Sequence, residues 1–324
     1  MKIKEITNFT LKELLGVKFY DEEGKFEIIL LDLVNEQKGL FLIKNIKDGE
    51  LSKRVCTKEN LIEVFSINTD EVRHEKYQMI KDVLMDGFNP YLVGGAGSGK
   101  NYVCEQIAKS MNLPFYCINC VTQEFKILGY GDANGNYVET DFYKCFTNGG
   151  VILIDEIDAS CPDALIILNS ALANGYLNFP VVGTKTKHKD FYCISAGNTC
   201  GKGADELYNA RMTLDAASLN RFFCIEFDYD RRIEEKCALY DNELVDFAHA
   251  VRNACQRIKY NLVFSYRDLS MIARLQKYMK ADVALMGSVF KGCNKDTLNN
   301  LYYNCCNVDD NKYYKEMYKL IENN

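Results

Sequence analysis

The sequence has no surplus of positive charge. Its 324 residues carry 39 Lys and Arg against 45 Asp and Glu, a formal charge of −6 with a pI near 5.3. A protein whose main task is to coat phosphate backbones needs the opposite balance, so that class is excluded and only local basic patches stay open. A long apolar run is missing too. Met1 to Thr10 alternates charged and apolar residues without the continuous stretch of a secretory signal. Ile28 to Val34 is interrupted by Asp32 and is far too short to cross a bilayer. The expectation is a soluble, cytoplasmic protein with no membrane partner. Internal repeats and low-complexity tracts are absent. The fourteen cysteines include one C-x-x-C, Cys117 and Cys120, with no second pair at zinc-finger spacing, and Cys293, Cys305 and Cys306 have no His nearby. They read as reduced thiols and small core hydrophobes rather than metal ligands.

The length suits one α/β domain with one or two smaller modules. Residues 1–72 read as a small β-rich module, with strand-like runs Lys25 to Val34 and Leu40 to Ile46 separated by the polar turn Asn35 to Gly39. After the charged stretch Asp70 to His74, the spacing of Tyr77, Ile80, Val83 and Leu84 predicts a helix. From there to residue 230, short apolar runs alternate with helical segments: Tyr91 to Val93, Phe115 to Ile118, Val151 to Ile154, Phe191 to Ser195 and Phe222 to Phe227. That alternation predicts a doubly wound parallel five-stranded sheet. Ser160 with Asp163 is expected to cap the helix after the third strand, with Pro162 in its first turn and Gly175 ending it. Beyond Asp230 the apolar residues Leu244, Phe247, Ala248, Val251, Cys255 and Ile258 recur at helical spacing. They predict a helical subdomain over 231–290, and Tyr313, Met317, Leu320 and Ile321 place a last helix in a tail over 291–324.

Chemistry concentrates at the ends of the predicted strands. Gly94, Gly95, Ala96, Gly97, Ser98, Gly99 and Lys100 spell G-x-x-x-x-G-K between a strand and a helix that opens with Asn101 and Tyr102. Glycines let successive backbone N–H groups turn inward as an anion nest, the helix adds its positive end, and Lys100 reaches the β- and γ-phosphates of a nucleotide. The hydroxyl residue expected after the lysine as a Mg²⁺ ligand is replaced by Asn101, whose amide oxygen can also bind a hard cation. The third strand runs apolar from Val151 to Ile154 and ends in Asp155 and Glu156. Asp155 is placed to hold Mg²⁺ and Glu156 to polarise an attacking water, whereas Asp158 reads as an acidic turn before the next helix. Ser265 and Asp268 have capping-box spacing, which puts Arg267 in a helical first turn, where a cation is unfavourable unless an anion lies close.

Taken in order, these motifs resemble AAA+ ATPases, over roughly residues 75 to 290, and are most similar to the MoxR and cobalt-chelatase small-subunit (CobS) branch, including its phage-encoded members. The resemblance implies an AAA+ core over 73–230 with a helical lid, and ATP and Mg²⁺ as ligands. It also implies a homo-oligomeric ring, usually of six, with ATP between neighbouring subunits. Phe191 to Thr199 resembles the sensor-1 strand, with Asn198 helping Glu156 to orient water. Leu214 to Phe222 resembles the segment bearing the arginine finger, with Asn220 where Asp is commoner; Arg221 is the choice, and Arg211 is a second candidate interface arginine. Arg267 takes the sensor-2 position, touching nucleotide from the lid. A protein client or a metal-ion-dependent adhesion-type partner is implied as well.

Two loops look built for other contacts. Gly129 to Tyr137 carries Tyr130 and Tyr137, either substrate-gripping side chains or members of a solvated hairpin. Asn178 to Lys189 ends in Lys185, Lys187, His188 and Lys189, either a solvated hairpin or a nucleic-acid contact. Three functions therefore stand: a hydrolysing motor acting on a protein, a nucleotide-gated assembly module with little hydrolysis because of Asn101, and a DNA-associated motor or loader. The acidic balance argues against the last.

Overall fold

The computed structural model describes residues 13, 15, 18–20, 26–33, 38–45, 51–57, 72–204 and 207–323, and the chain divides into two compact units, Met1–Val72 and Arg73–Asn324. The predicted strand ends at Lys25, Val34 and Ile46, the turn residues Asn35 to Gln37, and Asp70 lie outside the described residues. In the first unit, β1 (Lys18–Tyr20), β2 (Phe26–Leu33), β3 (Lys38–Asn45) and β4 (Leu51–Thr57) form an antiparallel sheet in that order. The period-2 pattern decides which face is covered. Ile28 and Leu30 are buried directly opposite Ile43 and Phe41, with a register shift between Leu30 and Asp32. Sequence patterning marks β2 and β3 and passes over β1 and β4, whose residues are short or polar.

The second unit holds a five-stranded, wholly parallel sheet made of β5 (Asn89–Val93), β6 (Phe115–Asn119), β9 (Gly150–Asp155), β12 (Phe191–Gly197) and β13 (Phe222–Glu226), in the order β13-β5-β12-β9-β6. Two hairpins interrupt the crossovers, β7 (Tyr130–Gly131) with β8 (Tyr137–Val138) and β10 (Tyr176–Phe179) with β11 (Gly183–Thr186). Strand alternation feeds two cores. Val151 and Leu153 join Val103 and Ile107 of helix Lys100–Ser110 on one face. Ile152 and Ile154 join Phe142, Phe146 and Leu165 on the other. This is an α/β fold with a wholly parallel five-stranded sheet, followed by a helical carboxy-terminal region.

The helix after β9 departs from its expected cap. A 3₁₀ turn, Ile157–Ala159, intervenes, so helix Pro162–Ala173 is preceded by Cys161 without a side-chain cap. Ser160 instead takes the Val121 N–H on its hydroxyl at 2.8 Å. Pro162 does open the helix, and Gly175 follows it at φ +72°.

The helices beyond β13 share one core. Helix Asn242–Ile258 buries Leu244, Phe247, Ala248, Val251 and Cys255, and helix Lys312–Asn323 sends Tyr313, Met317, Leu320 and Ile321 into the same cluster. Asp241, which caps the first helix through Leu244 N–H at 3.2 Å, also accepts from Lys312 Nζ and Tyr313 Oη, both at 2.7 Å. Met317→Ala is therefore expected to cost about 2–5 kcal/mol in denaturant unfolding, whereas Tyr278→Ala, at a position 83% exposed, stays within about 0.5 kcal/mol. Equal stabilities for the two variants would remove the tail from the core.

Candidate functional site

Sheet order brings three strand ends together. β12 lies between β5 and β9, so the loop after β5, the acids closing β9 and the residues after β12 emerge side by side at the carboxyl edge, where doubly wound sheets hold ligands. Gly94 N–H donates to Gly197 O at 3.2 Å, fastening the loop to the end of β12. Helix Lys100–Ser110 starts directly from the loop. Among the described residues, the N–H groups of Gly97, Ser98 and Gly99 have no protein acceptor, and the fully buried Ser98 hydroxyl has no partner. Free amides at the positive end of a helix form an anion-binding nest. Gly97 is required twice over: its φ is +70°, and a Cβ there would stand 2.7 Å from the Ser265 Cβ of the lid. The loop is also gripped by two phenols. Ala96 N–H donates to Tyr208 Oη at 3.0 Å, and Tyr229 Oη donates to Ala96 O at 2.8 Å.

Lys100 lies folded over the nest. Its ammonium donates to Gly94 O at 2.8 Å, Gly95 O at 3.0 Å and Asn198 Oδ1 at 3.2 Å. Burial presses its pKa down to about 8, against the opposing pull of the Asp155 and Asp158 carboxylates, with Arg211 adding to the depression. Holding the charge there costs on the order of 3 kcal/mol. A polyphosphate would relieve that cost.

The acids meet the loop directly. Asp155 Oδ2 accepts from Asn101 Nδ2 at 2.9 Å and its Oδ1 from Glu156 N–H at 3.0 Å. A carboxylate beside a side-chain amide is a hard-oxygen donor set, and Mg²⁺ is commonly held by one or two carboxylates, waters and substrate phosphates. Asp155 fits that pattern, and Asn101 fits it with its amide oxygen, once the Nδ2 that now faces Asp155 turns away. Glu156 sits in the left-handed region at φ 51°, ψ 41°, a conformation that costs a non-glycine residue about 1 kcal/mol and turns its side chain out of the strand direction.

Asp158, expected as a turn acid, is instead fully buried. Its Oδ2 accepts from Asn198 N–H at 2.9 Å, Thr199 N–H at 2.8 Å and Thr199 Oγ1 at 3.0 Å, so it fixes the backbone that aims Asn198 at Lys100. Gly197 makes the room, since a Cβ there would lie 2.6 Å from Tyr91 Oη and 2.9 Å from the Asp158 carboxyl carbon. Arg211 is likewise placed within its own subunit. It pairs with Asp158 at 3.1 Å and with Glu156 at 3.5 Å.

Other expected residues fall around this centre. Arg267, in the first turn of helix Tyr266–Leu275, lines a cavity of about 450 Å³ with Ala96, Gly97, Tyr260, Ser265 and Met271. The Asp268 carboxylate accepts from Ser265 N–H at 2.8 Å and Ser265 Oγ at 2.7 Å, as the capping spacing predicts. Tyr102 is largely exposed on helix Lys100–Ser110. Arg221 stands at the opposite end of the sheet, just before β13, where Phe222 pairs with Asn89. The strand separates it by roughly 15 Å from the edge that carries its own loop, and its guanidinium donates to Ala217 O.

The hairpins divide. Tyr130 is half exposed and leans edge-on against Phe125. Tyr137 is committed internally, donating to Leu128 O at 2.6 Å and packing 4.9 Å from Tyr143, so it is not a gripping side chain. Lys189 is paired with Asp190 at 3.8 Å. Among the described residues no group of three or more His, Cys, Asp or Glu could hold a metal, and no helix is long and apolar enough to cross a membrane. Sequence reasoning missed Tyr208, Tyr229, Arg211 in its internal role and Asp158. Only Asp158 carried a usable signal, its position two residues beyond Glu156.

Residues 90–221 match the model of the AAA domain, dynein-related subfamily. The chain is 27% identical over 186 residues to an uncharacterised protein of Staphylococcus epidermidis, covering 52% of this chain and 66% of that protein. It is also 27% identical over 176 residues to YojN of Bacillus subtilis, covering 49% and 56%. The chain thus spans less than two thirds of the curated relatives it matches. Among solved structures it is similar to NtrX from Brucella abortus in complex with ADP (TM-score 0.43, 16% identity, 68% of this chain and 53% of that one). A further likeness is to a point mutant of Thermotoga maritima RuvB (TM-score 0.37, 16% identity, 78% and 71%).

The depressed pKa of Lys100 makes anion binding pH-dependent. Free, the amine sheds its proton above about pH 8, and a neighbouring polyanion favours the charged form. Binding of inorganic triphosphate should therefore take up close to one proton at pH 9 and almost none at pH 6. Calorimetry in buffers of different ionisation enthalpy measures the uptake, and its absence at pH 9 would contradict the assignment.

Proposed function

We propose that the chain is an ATP-hydrolysing AAA+ protein of MoxR/CobS type that works as a homo-oligomeric ring, usually of six, and remodels a protein client or an adhesion-type partner. The single observation that carries this reading is the meeting of Lys100, Asp155, Glu156 and Asn198 at adjacent strand ends. The amides from Gly95 to Tyr102 cradle the triphosphate, and Lys100 moves from the loop carbonyls onto the β- and γ-phosphates. Asp155 and Asn101 would hold Mg²⁺, which would supply charge neutralisation at those phosphates. Glu156 accepts a proton from the attacking water, and Asn198 orients that water. Arg221, too far from its own loop, serves the neighbouring subunit's γ-phosphate, and Arg267 touches nucleotide from the lid. Glu156→Gln is expected to retain ATP with turnover lowered about 10²–10⁴-fold, and Lys100→Ala to lose ATP affinity at least tenfold. Phosphate release and fluorescent-nucleotide titration measure both. Unchanged turnover in either variant would remove the site.

A second reading is favoured by the Asn101 contact. An amide donating to Asp155 at 2.9 Å competes with a metal for that carboxylate, which suits a module that assembles on ATP and hydrolyses it slowly. Under that reading Asn101→Thr raises turnover more than tenfold at constant ATP affinity. A rate within twofold of native would return the case to the motor.

A further inference from the structure

Arg211 is held by contacts within its own subunit. Nε lies 3.1 Å from Asp158 Oδ2, Nη2 lies 3.5 Å from Glu156 Oε1, and Nη1 donates to Ala210 O at 3.3 Å. The side chain is only 11% exposed. The guanidinium is thus held by two ion pairs and one backbone hydrogen bond within its own subunit. Its loop is equally constrained. Lys202 bridges Thr213, Leu214 N–H donates to Gly201 O at 2.9 Å, and Met212 N–H donates to Asp158 O at 2.7 Å. Backbone bonds thus fix Met212 to the turn that carries Asp158, and Thr213 and Leu214 to the segment after β12.

Glu156 needs such a support. Its side chain is about half exposed, and a glutamate free in water samples several rotamers whose ordering opposes any single placement. We propose that Arg211 is the positioning residue for Glu156: its planar fork bridges the Glu156 carboxylate to buried Asp158 and so sets Glu156 in register with Asn198, whose N–H the same Asp158 holds. A lysine ammonium is a point charge on a flexible stem and cannot reproduce a fork across two carboxylates. This inference rests on the hydrolytic reading of the site.

The test is a double-mutant cycle on the full chain. Arg211→Gln is chosen because Asp158 keeps its two backbone donors and the Thr199 hydroxyl, and thermal unfolding checks that the variant folds. Arg211→Gln should lower kcat about 10–100-fold, the usual consequence of misplacing a reacting group, with ATP affinity within twofold of native. Arg211→Lys should recover part of the loss. In the Glu156→Gln background the same Arg211→Gln change should alter the residual single-turnover rate by less than twofold. Mixing Arg211→Gln with Glu156→Gln subunits should recover no turnover, because both defects lie in the same subunit. Native kcat in Arg211→Gln would overturn the proposal, as would an equal further loss in the Glu156→Gln background, a defect confined to ATP affinity, or recovery on mixing. A native chain without ATP turnover would instead overturn the hydrolytic reading and this inference together.

Discussion

Everything at the site depends on β12 lying between β5 and β9. A parallel sheet sends successive strand ends out at one edge, so that single insertion sets Asn198 between the phosphate loop and the acids. Asp158 then converts strand order into side-chain geometry. Its carboxylate is fully buried and takes the Asn198 and Thr199 amides, and a buried carboxylate deprived of donors costs several kcal/mol. The turn after β12 is therefore held by three hydrogen bonds to one carboxylate oxygen. From it follow the placement of Asn198 Oδ1 against Lys100 and the seat of Arg211.

The charges form a closed circuit that an incoming anion rearranges. Lys100 rests on two loop carbonyls and Asn198, Arg211 spans Glu156 and Asp158, and Asn101 occupies Asp155. Each of these groups is partnered without nucleotide, so the loop keeps its shape, yet the Lys100 charge is poorly solvated and gains most from a phosphate. Preorganised groups of this kind do not have to be assembled when a ligand arrives. The phenol of Tyr208 on Ala96 N–H and the loop carbonyls on Lys100 are contacts that an oxygen of a phosphate replaces in kind.

Much of the fold was legible because periodicity reports burial. Val151 to Ile154 feeds two cores and reads as a continuous apolar run, while helix Asn242–Ile258 is one-sided and shows its apolar stripe. The tail's helix was legible, but not that it completes the lid core, because spacing within a segment says nothing about which segment it meets. At the site, the glycine-rich loop and the paired acids were legible because their spacing is local. Asp158, Arg211 and Tyr208 were not, since each acts through partners some 40 to 110 residues away. Ser160 shows the opposite error: a cap signal was present, but the intervening 3₁₀ turn gave its hydroxyl to Val121 instead.

The lid is coupled to the loop through contacts too close to be ignored by either. Gly97 passes Ser265 with no room for a methyl group, so displacement of the loop displaces the start of the helix that carries Arg267. Tyr229 ties Ala96 O to the lid by a second route. Arg252 lies over its ring at 4.0 Å and pairs with fully buried Glu234, and a buried pair with one partner fixed resists separation. Packed interiors respond to such pushes as rigid bodies rather than by local yielding. Ala96 and Gly97 are in direct contact with the helical cluster, through Tyr229 and Ser265.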